Sequence, residues 1–233
     1  MDGDVVFVMG SHSAKRKKVD KDKKYVKNRA ALMSAPETQP ARDILLRIEL
    51  DSSGKTKSVE QSSLRSFLNE QEPFRSFGST SSKENGIDIE GLAALNGDLY
   101  AGFRGPVLRG NYTPVLRFKF GSPIDEPELL FLDLGGRGIR DLAHAKGGMI
   151  ILAGPVGDGP GSYQLYFWEG RDGVPGSGAP DPGLRLLGDV PVPAPAAKPE
   201  GIGMIEETPS EYKLLMVFDG LPGGHATRVR VKK

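Results

Sequence analysis

The chain has 233 residues, 38% of them hydrophobic and 26% charged, and its 31 basic and 30 acidic side chains leave a formal net charge of +1. That balance supplies no global basic field, so nucleic acid is not an expected partner. With no cysteine, the chain can form neither a disulfide nor a thiolate nucleophile nor a zinc–thiolate site.

Glycine (31) and proline (18) are abundant while aromatics make up only 7%, which favours many turns and short strands over long helices. No apolar run approaches the roughly 20 residues that span a bilayer. Met1 to Val8 lacks the basic start and long apolar stretch of a signal peptide. Val5 to Met9 reads as a strand that ends at Gly10-Ser11-His12-Ser13. Residues 14–28 are mostly charged, headed by Lys15-Arg16-Lys17-Lys18. They read as an exposed loop, a solvated hairpin tip; the functional alternative is an anion or nucleic-acid patch, or a localisation signal. Ala30 to Ser34 and Ile44 to Leu50 follow as strands, and Asp51-Ser52-Ser53-Gly54-Lys55 is a turn. Val59, Leu64, Phe67 and Leu68 then recur at helical spacing and predict one short inserted helix near residues 58–70.

From Ile87 onward the pattern repeats. Ile87 to Leu95 is a strand, Asn96-Gly97-Asp98 a hairpin turn and Leu99 to Phe103 a second strand. Val115 to Phe120 and Leu129 to Leu134 complete a set of four. Gly138 to Ala145, Met149 to Ala153, Tyr163 to Trp168 and Leu184 to Val190 form the next set, and Lys198 to Ile205 with Tyr212 to Phe218 open a third. Glu90, Asp141 and Glu200 recur near the starts of these sets 51 and 59 residues apart, against the roughly 40–50 of propeller blades, which lengthens where a loop is inserted. Gly3-Asp4 with Val5 to Met9 matches Gly97-Asp98 with Leu99 to Phe103, so the first unit looks like a blade that begins at its second strand. The expected fold is therefore all-β: one β-propeller domain over residues 1–233, with blades at about 1–50, 85–134, 138–190 and 198–233. About four blades are visible, and an N-terminal portion is expected to be missing. A four-stranded sheet cannot bury both faces alone, and stacking blades supplies the cover.

In a propeller the first strand of each blade lines the central channel, so acids on those strands converge. Glu90, Asp141, Glu200 and Asp88 are candidate metal ligands, and oxygen-only ligands of this kind favour calcium or magnesium over zinc or copper, with calcium the candidate cofactor. The ordinary alternative is that they cap strand ends. Arg104, Arg109, Arg137 and Arg140 accompany them as candidate ligand-binding residues, since guanidinium forks fit phosphate and carboxylate groups; they could equally neutralise the acids. His12, just after a strand, is the candidate general base.

Glu90-Gly91-Leu92, Gly105-Pro106-Val107-Leu108-Arg109-Gly110, Leu132 through Leu142, Ile151-Leu152-Ala153-Gly154-Pro155 and Pro199-Glu200-Gly201-Ile202 resemble the mainly bacterial domain-of-unknown-function family numbered 3616. The resemblance implies a β-propeller and carries no activity with it. The Glu-Gly-(Leu/Ile) starts are more distantly similar to calcium-dependent propeller hydrolases acting on lactones or phosphoesters. The functional expectation is a protein that binds a small anionic or metal-bridged ligand at the channel mouth. The alternatives are a calcium-dependent hydrolase of ester, lactone or phosphoester bonds, and a protein-interaction scaffold. The expected compartment is the cytoplasm, or the periplasm or exterior if a leader precedes Met1.

Overall fold

The computed structural model describes residues 4–159, 161–177, 181–194 and 197–233. Gly3, part of the predicted match to Gly97, lies outside them, as do parts of the Gly/Pro-rich stretches after residue 170 and after residue 191. The chain is all-β, arranged as antiparallel sheets that follow one another along the sequence, none closed on itself.

The first sheet pairs β1 (Val5–Met9), β4 (Leu45–Leu50) and β5 (Thr56–Ser62) in that order. Between β1 and β4 lies an insertion holding β2 (Ala14–Lys15), helix α1 (Tyr25–Met33) and β3 (Glu37–Thr38), with β2 paired to β3. Helices α2 (Arg65–Glu70) and α3 (Phe74–Phe77) lead into the second sheet. That sheet is a meander of β6 (Asp88–Leu95), β7 (Asp98–Gly105), β8 (Tyr112–Lys119) and β9 (Asp125–Asp133). The third repeats the plan with β10 (Gly138–Ala145), β11 (Gly148–Gly154), β12 (Gln164–Trp168) and β13 (Leu184–Asp189). The fourth holds β14 (Lys198–Glu207), β15 (Glu211–Asp219) and β16 (Thr227–Lys232).

Three clusters of apolar side chains lie between consecutive sheets, and the period-2 alternation of the strands decides which residue enters which. Along β7, Leu99, Ala101 and Phe103 face the first sheet and its helices, where Leu45, Leu64, Leu68 and Phe74 wait; Tyr100 faces the third sheet. Along β11, Met149, Ile151 and Ala153 join Tyr100 and Trp168, while Ile150 and Leu152 face the fourth sheet. β15 sends Tyr212, Leu214, Met216 and Phe218 into the last cluster and leaves Leu215 and Val217 exposed on its other face. Strands β7 and β11 are thus apolar on both faces because a neighbouring sheet covers each side. Trp168, the sole tryptophan, is fully buried edge-on to Tyr100, with ring centroids 5.8 Å apart.

The turns obey their local chemistry. Asn96 (φ 55°) and Gly97 (φ 84°) join Leu95 to Asp98, which face each other across the hairpin. Positive φ at both central residues is the primed turn that matches strand twist, and Asn-Gly tolerates it best.

Three expectations are corrected. The predicted helix over 58–70 is a strand for its first part: Val59 pairs with Ile48 in β5 and is exposed, so it belongs to no helical stripe. Only Leu64, Phe67 and Leu68 mark α2, and the first sheet therefore runs to Ser62 rather than ending near residue 50. The segment from Tyr25 to Met33, expected as charged loop and then strand, is helix α1. No residue of α1 is buried, so apolar periodicity gave no signal there, while Ala30, Ala31, Leu32 and Met33 are strong helix formers. The last correction concerns the alignment of the repeated acids, and it decides the site.

Candidate functional site

Strands β6, β10 and β14 open their sheets and pack side by side, β6 against β10 and β10 against β14. Each carries a break in its pairing at the same place. The register skips Glu90 between Ile89 and Gly91, Arg140 between Ile139 and Asp141, and Glu200 between Pro199 and Gly201. Such a bulge leaves one residue unopposed and re-aims its side chain. The equivalent residues are therefore Glu90, Arg140 and Glu200; Asp141 ranks with Gly91 and Gly201. The expected match of Asp141 to the two glutamates is off by one residue. It followed charge, whereas the apolar frame Leu92, Leu142 and Ile202 sets the register.

The shift turns a ring of acids into an alternating row. On β7, Arg104 is also skipped by the register, opposite the break between Asp88 and Ile89. Its Nη2 contacts Asp88 Oδ2 and its Nη1 lies 2.8 Å from Glu90 Oε1. The other Glu90 oxygen, Oε2, is 3.0 Å from Arg140 Nε, and Arg140 Nη2 donates to Glu200 Oε1. Three carboxylates placed together would repel; a guanidinium in the middle strand joins the two glutamates instead. The row is buried at its centre and open at its edge: the side chains of Arg104 and Arg140 are 2% and 4% exposed, that of Glu200 is 31%. Gly138 permits the close approach of β10, because a Cβ there would fall 1.9 Å from the Arg104 carbonyl oxygen.

Not every contact in the row is well directed. Glu90 Oε2 and Arg140 Nε meet as an ion pair without hydrogen-bond geometry, and Arg104 Nε reaches no acceptor among the described residues. Burial dominates the electrostatics. It pushes the Glu90 carboxyl up to about 7, against the pull of Arg140 and Arg104. Burial likewise raises Asp88 despite Arg104. Three carboxylates share two guanidiniums, so the row is one positive charge short.

Asp141 does different work. Its Oδ1 accepts from the Leu142 N–H at 2.8 Å and its Oδ2 from the Ile202 N–H at 2.7 Å, stitching β10 to β14 through the backbone. Burial raises its carboxyl to about 6, although both N–H donors favour the charged form. Glu90 and Asp141 also line a cavity of about 280 Å³, with Phe7 of β1 and Leu92 of β6 among its walls.

The remaining predicted residues stand apart from the row. Arg137 is tied to the backbone, donating from Nε to the Ser162 carbonyl at 3.2 Å and from Nη1 to that of Leu134 at 3.3 Å; its Nη2 donates to Ser162 Oγ at 2.6 Å. Arg109 is exposed in the turn before β8. His12 is fully buried. Its Nδ1 lies 2.8 Å from the Gly10 carbonyl and its Nε2 accepts from the Leu64 N–H at 3.1 Å, which fixes a neutral tautomer. Burial lowers its pKa further. Beside it Arg65 pairs with Asp43 and donates to the His12 carbonyl, a group the sequence reading missed because its members lie in three separate segments. Among the described residues no group of three or more His, Asp or Glu side chains is arranged to hold a metal ion.

The insertion forms a second charged region. Lys15, Lys17, Lys18, Lys23 and Lys27 line a cavity of about 620 Å³. Their partners are surface acids: Arg16 pairs with Glu84, Lys17 with Glu37 and Lys23 with Asp20.

No curated protein matches this chain. A family model described as Protein of unknown function (DUF3616) matches residues 1–230, nearly the whole length, and the chain belongs to that family.

Proposed function

We propose that the protein is a β-propeller-type binding module whose site is the row Asp88–Arg104–Glu90–Arg140–Glu200, and that this site accepts a positively charged group. The propeller reading draws on the succession of antiparallel sheets, each covering the next, with β6, β10 and β14 side by side. The single observation behind the ligand class is the charge imbalance of the row, three carboxylates on two guanidiniums. Buried carboxylates that lack a counter-charge retain a proton or recruit a cation. The raised Glu90 carboxyl is the first outcome, and a ligand cation at the open edge beside Glu200 is the second.

This narrows the earlier expectations. An anionic ligand would need unengaged guanidiniums, and Arg104 and Arg140 each already meet two carboxylates. A metal-bridged ligand remains compatible with the acid surplus. A hydrolytic role gains nothing from His12, whose Nε2 lone pair is taken by a backbone N–H.

The test is a thermal-shift titration with methylguanidinium, butylammonium and calcium, on wild type and on Glu90→Gln and Glu200→Gln. A saturable rise in melting temperature with one of these cations, lost in both variants, is the expected result. At 100 times the dissociation constant, native-state binding adds about 2.7 kcal/mol of stability. No shift with any of the three at millimolar concentration refutes the reading.

A further inference from the structure

The near-neutral charge of the whole chain conceals a sharp segregation. From Ala14 to Ala31 the insertion carries nine basic and two acidic side chains, against 22 basic and 28 acidic elsewhere. This is the segment that encloses the cavity of about 620 Å³, a volume within the roughly 300–1,000 Å³ of small-ligand sites. Every lining residue falls between Lys15 and Gln39, so one continuous stretch of chain builds the cavity, with walls from the β2–β3 ribbon and from α1. Helix α1 contributes Lys27, Ala30 and Ala31, while Tyr25, Val26, Leu32 and Met33 stay outside the lining and exposed. The two alanines keep open a space that longer side chains would fill. The walls are braced. Arg16 Nε and Nη2 donate to the two carboxylate oxygens of Glu84 at 2.6 and 2.8 Å, and its Nη1 donates to the carbonyls of Leu32, at 3.3 Å, and Ser34. That ties the ribbon both to the end of α1 and to the body of the protein. Asn28 holds the loop ahead of α1, accepting from the Asp20 N–H at 3.1 Å and donating to the carbonyls of Asp20 at 2.9 Å and Lys23 at 3.2 Å.

Within the lining, Lys17 faces Glu37 and Lys23 faces Asp20, and Arg16 is spent on Glu84. Lys15, Lys18 and Lys27 meet no carboxylate among the described residues. Like charges gathered on a concave surface focus their field and concentrate counter-anions there. An ammonium is a compact charge with three rotatable donors, which suits phosphoryl oxygens without demanding the planar match of a guanidinium. Three such groups left unmatched suit several negative charges on one ligand better than a single charge. No aromatic side chain lines the cavity, so nothing in it stacks on a base. We infer that this cavity binds an oligophosphate chain of three or more phosphoryl groups, free or as the tail of a nucleotide, through Lys15, Lys18 and Lys27. The site is separate from the cation-accepting row on β6, β10 and β14 and does not depend on it.

The test is calorimetric titration of the full-length protein with sodium tripolyphosphate, adenosine triphosphate and orthophosphate, in magnesium-free buffer at about 0.15 M salt, where exposed charges beyond roughly 8 Å are screened. Tripolyphosphate and adenosine triphosphate should each saturate one site with similar affinity, and orthophosphate should bind at least about tenfold more weakly. Combining Lys15→Gln, Lys18→Gln and Lys27→Gln should weaken tripolyphosphate binding at least about tenfold, with the melting temperature of the free protein unchanged, since all three side chains are exposed. Lys21→Gln with Lys24→Gln removes charge from the same run outside the lining, and should weaken it by less than about threefold. Absence of saturable binding at millimolar tripolyphosphate overturns the inference. Orthophosphate as tight as tripolyphosphate overturns the oligophosphate class. An equal loss in the Lys21→Gln, Lys24→Gln variant overturns the cavity in favour of a diffuse basic surface. Adenosine triphosphate, or a single-stranded RNA oligonucleotide at equal phosphate, binding more than about tenfold tighter than tripolyphosphate overturns recognition through phosphate alone.

Discussion

The inner-strand row and the insertion between β1 and β4 are built from the same chemistry, lysine or arginine facing aspartate or glutamate, yet they sit at opposite ends of the energetic scale. In the row the guanidiniums of Arg104 and Arg140 have left water almost entirely. In the insertion, Lys17 and Glu37 are 62% and 60% exposed, and Arg16 and Glu84 remain substantially hydrated. A buried ion must be matched by its neighbours or destabilise the fold, while an exposed one is matched by solvent. Counting charged side chains along the sequence would rank the insertion first. Counting removed water reverses the order.

Three substitutions sharpen that contrast. The largest effect is expected for Arg104→Ala, which strands Asp88 and Glu90 without their shared partner; breaking a buried pair from one side destabilises by about 3–5 kcal/mol. Urea unfolding should show a lower midpoint at unchanged slope, and a loss under about 1 kcal/mol would mean that the acids are already neutral or solvated.

Glu90→Gln should change the pH dependence more than the stability itself. The folded-state value near 7 stands above the ordinary carboxyl range, so the native state holds the proton more tightly than the unfolded chain. The Glu90 contribution to stability is therefore full below about 4.5 and is lost as pH rises through about 7. Asp141 contributes in the same direction up to about 6. The melting-temperature difference, wild type minus Glu90→Gln, should fall between pH 4.5 and 7.5. A difference that rises over that interval would mean that the two arginines outweigh burial.

The smallest effect is expected for Arg16→Ala in the insertion, which should leave the unfolding midpoint within experimental scatter. A loss comparable to that of Arg104→Ala would erase the distinction between the two regions.

How far the sequence disclosed all this follows the same divide between buried and exposed. Strands β6 to β15 were legible because burial of one face imposes alternation and burial of both, as in β7 and β11, an unbroken apolar run, and Asn96-Gly97 located its hairpin within a residue. Helix α1 was not, since a helix with no buried face leaves no apolar period. The site was half visible: Glu90, Glu200 and Arg140 stand out near the repeat starts, and Arg104 at the end of a second strand. Their arrangement did not, because the match followed the acidic charge to Asp141, one residue past the Arg140 that shares the bulge position of Glu90 and Glu200. Placing Arg140, rather than Asp141, level with Glu90 required the Leu92–Leu142–Ile202 frame, which was present in the sequence and outweighed by the more conspicuous charges. The surroundings of His12 were not legible, because the donor that occupies its Nε2, the Leu64 N–H, lies about fifty residues away.

The row also bears on the order in which the molecule assembles. The second sheet is a meander whose strands meet over short loops, whereas Arg140 and Glu200 are joined across 60 positions of chain. Loop closure favours the hairpins early and the links between sheets late. Substitutions at Arg140 should then act chiefly on the rate of unfolding, and substitutions at Asn96 on the rate of folding. In a chevron experiment the two would bend opposite arms, and a slower folding arm for Arg140→Gln would place sheet-to-sheet docking in the nucleus instead.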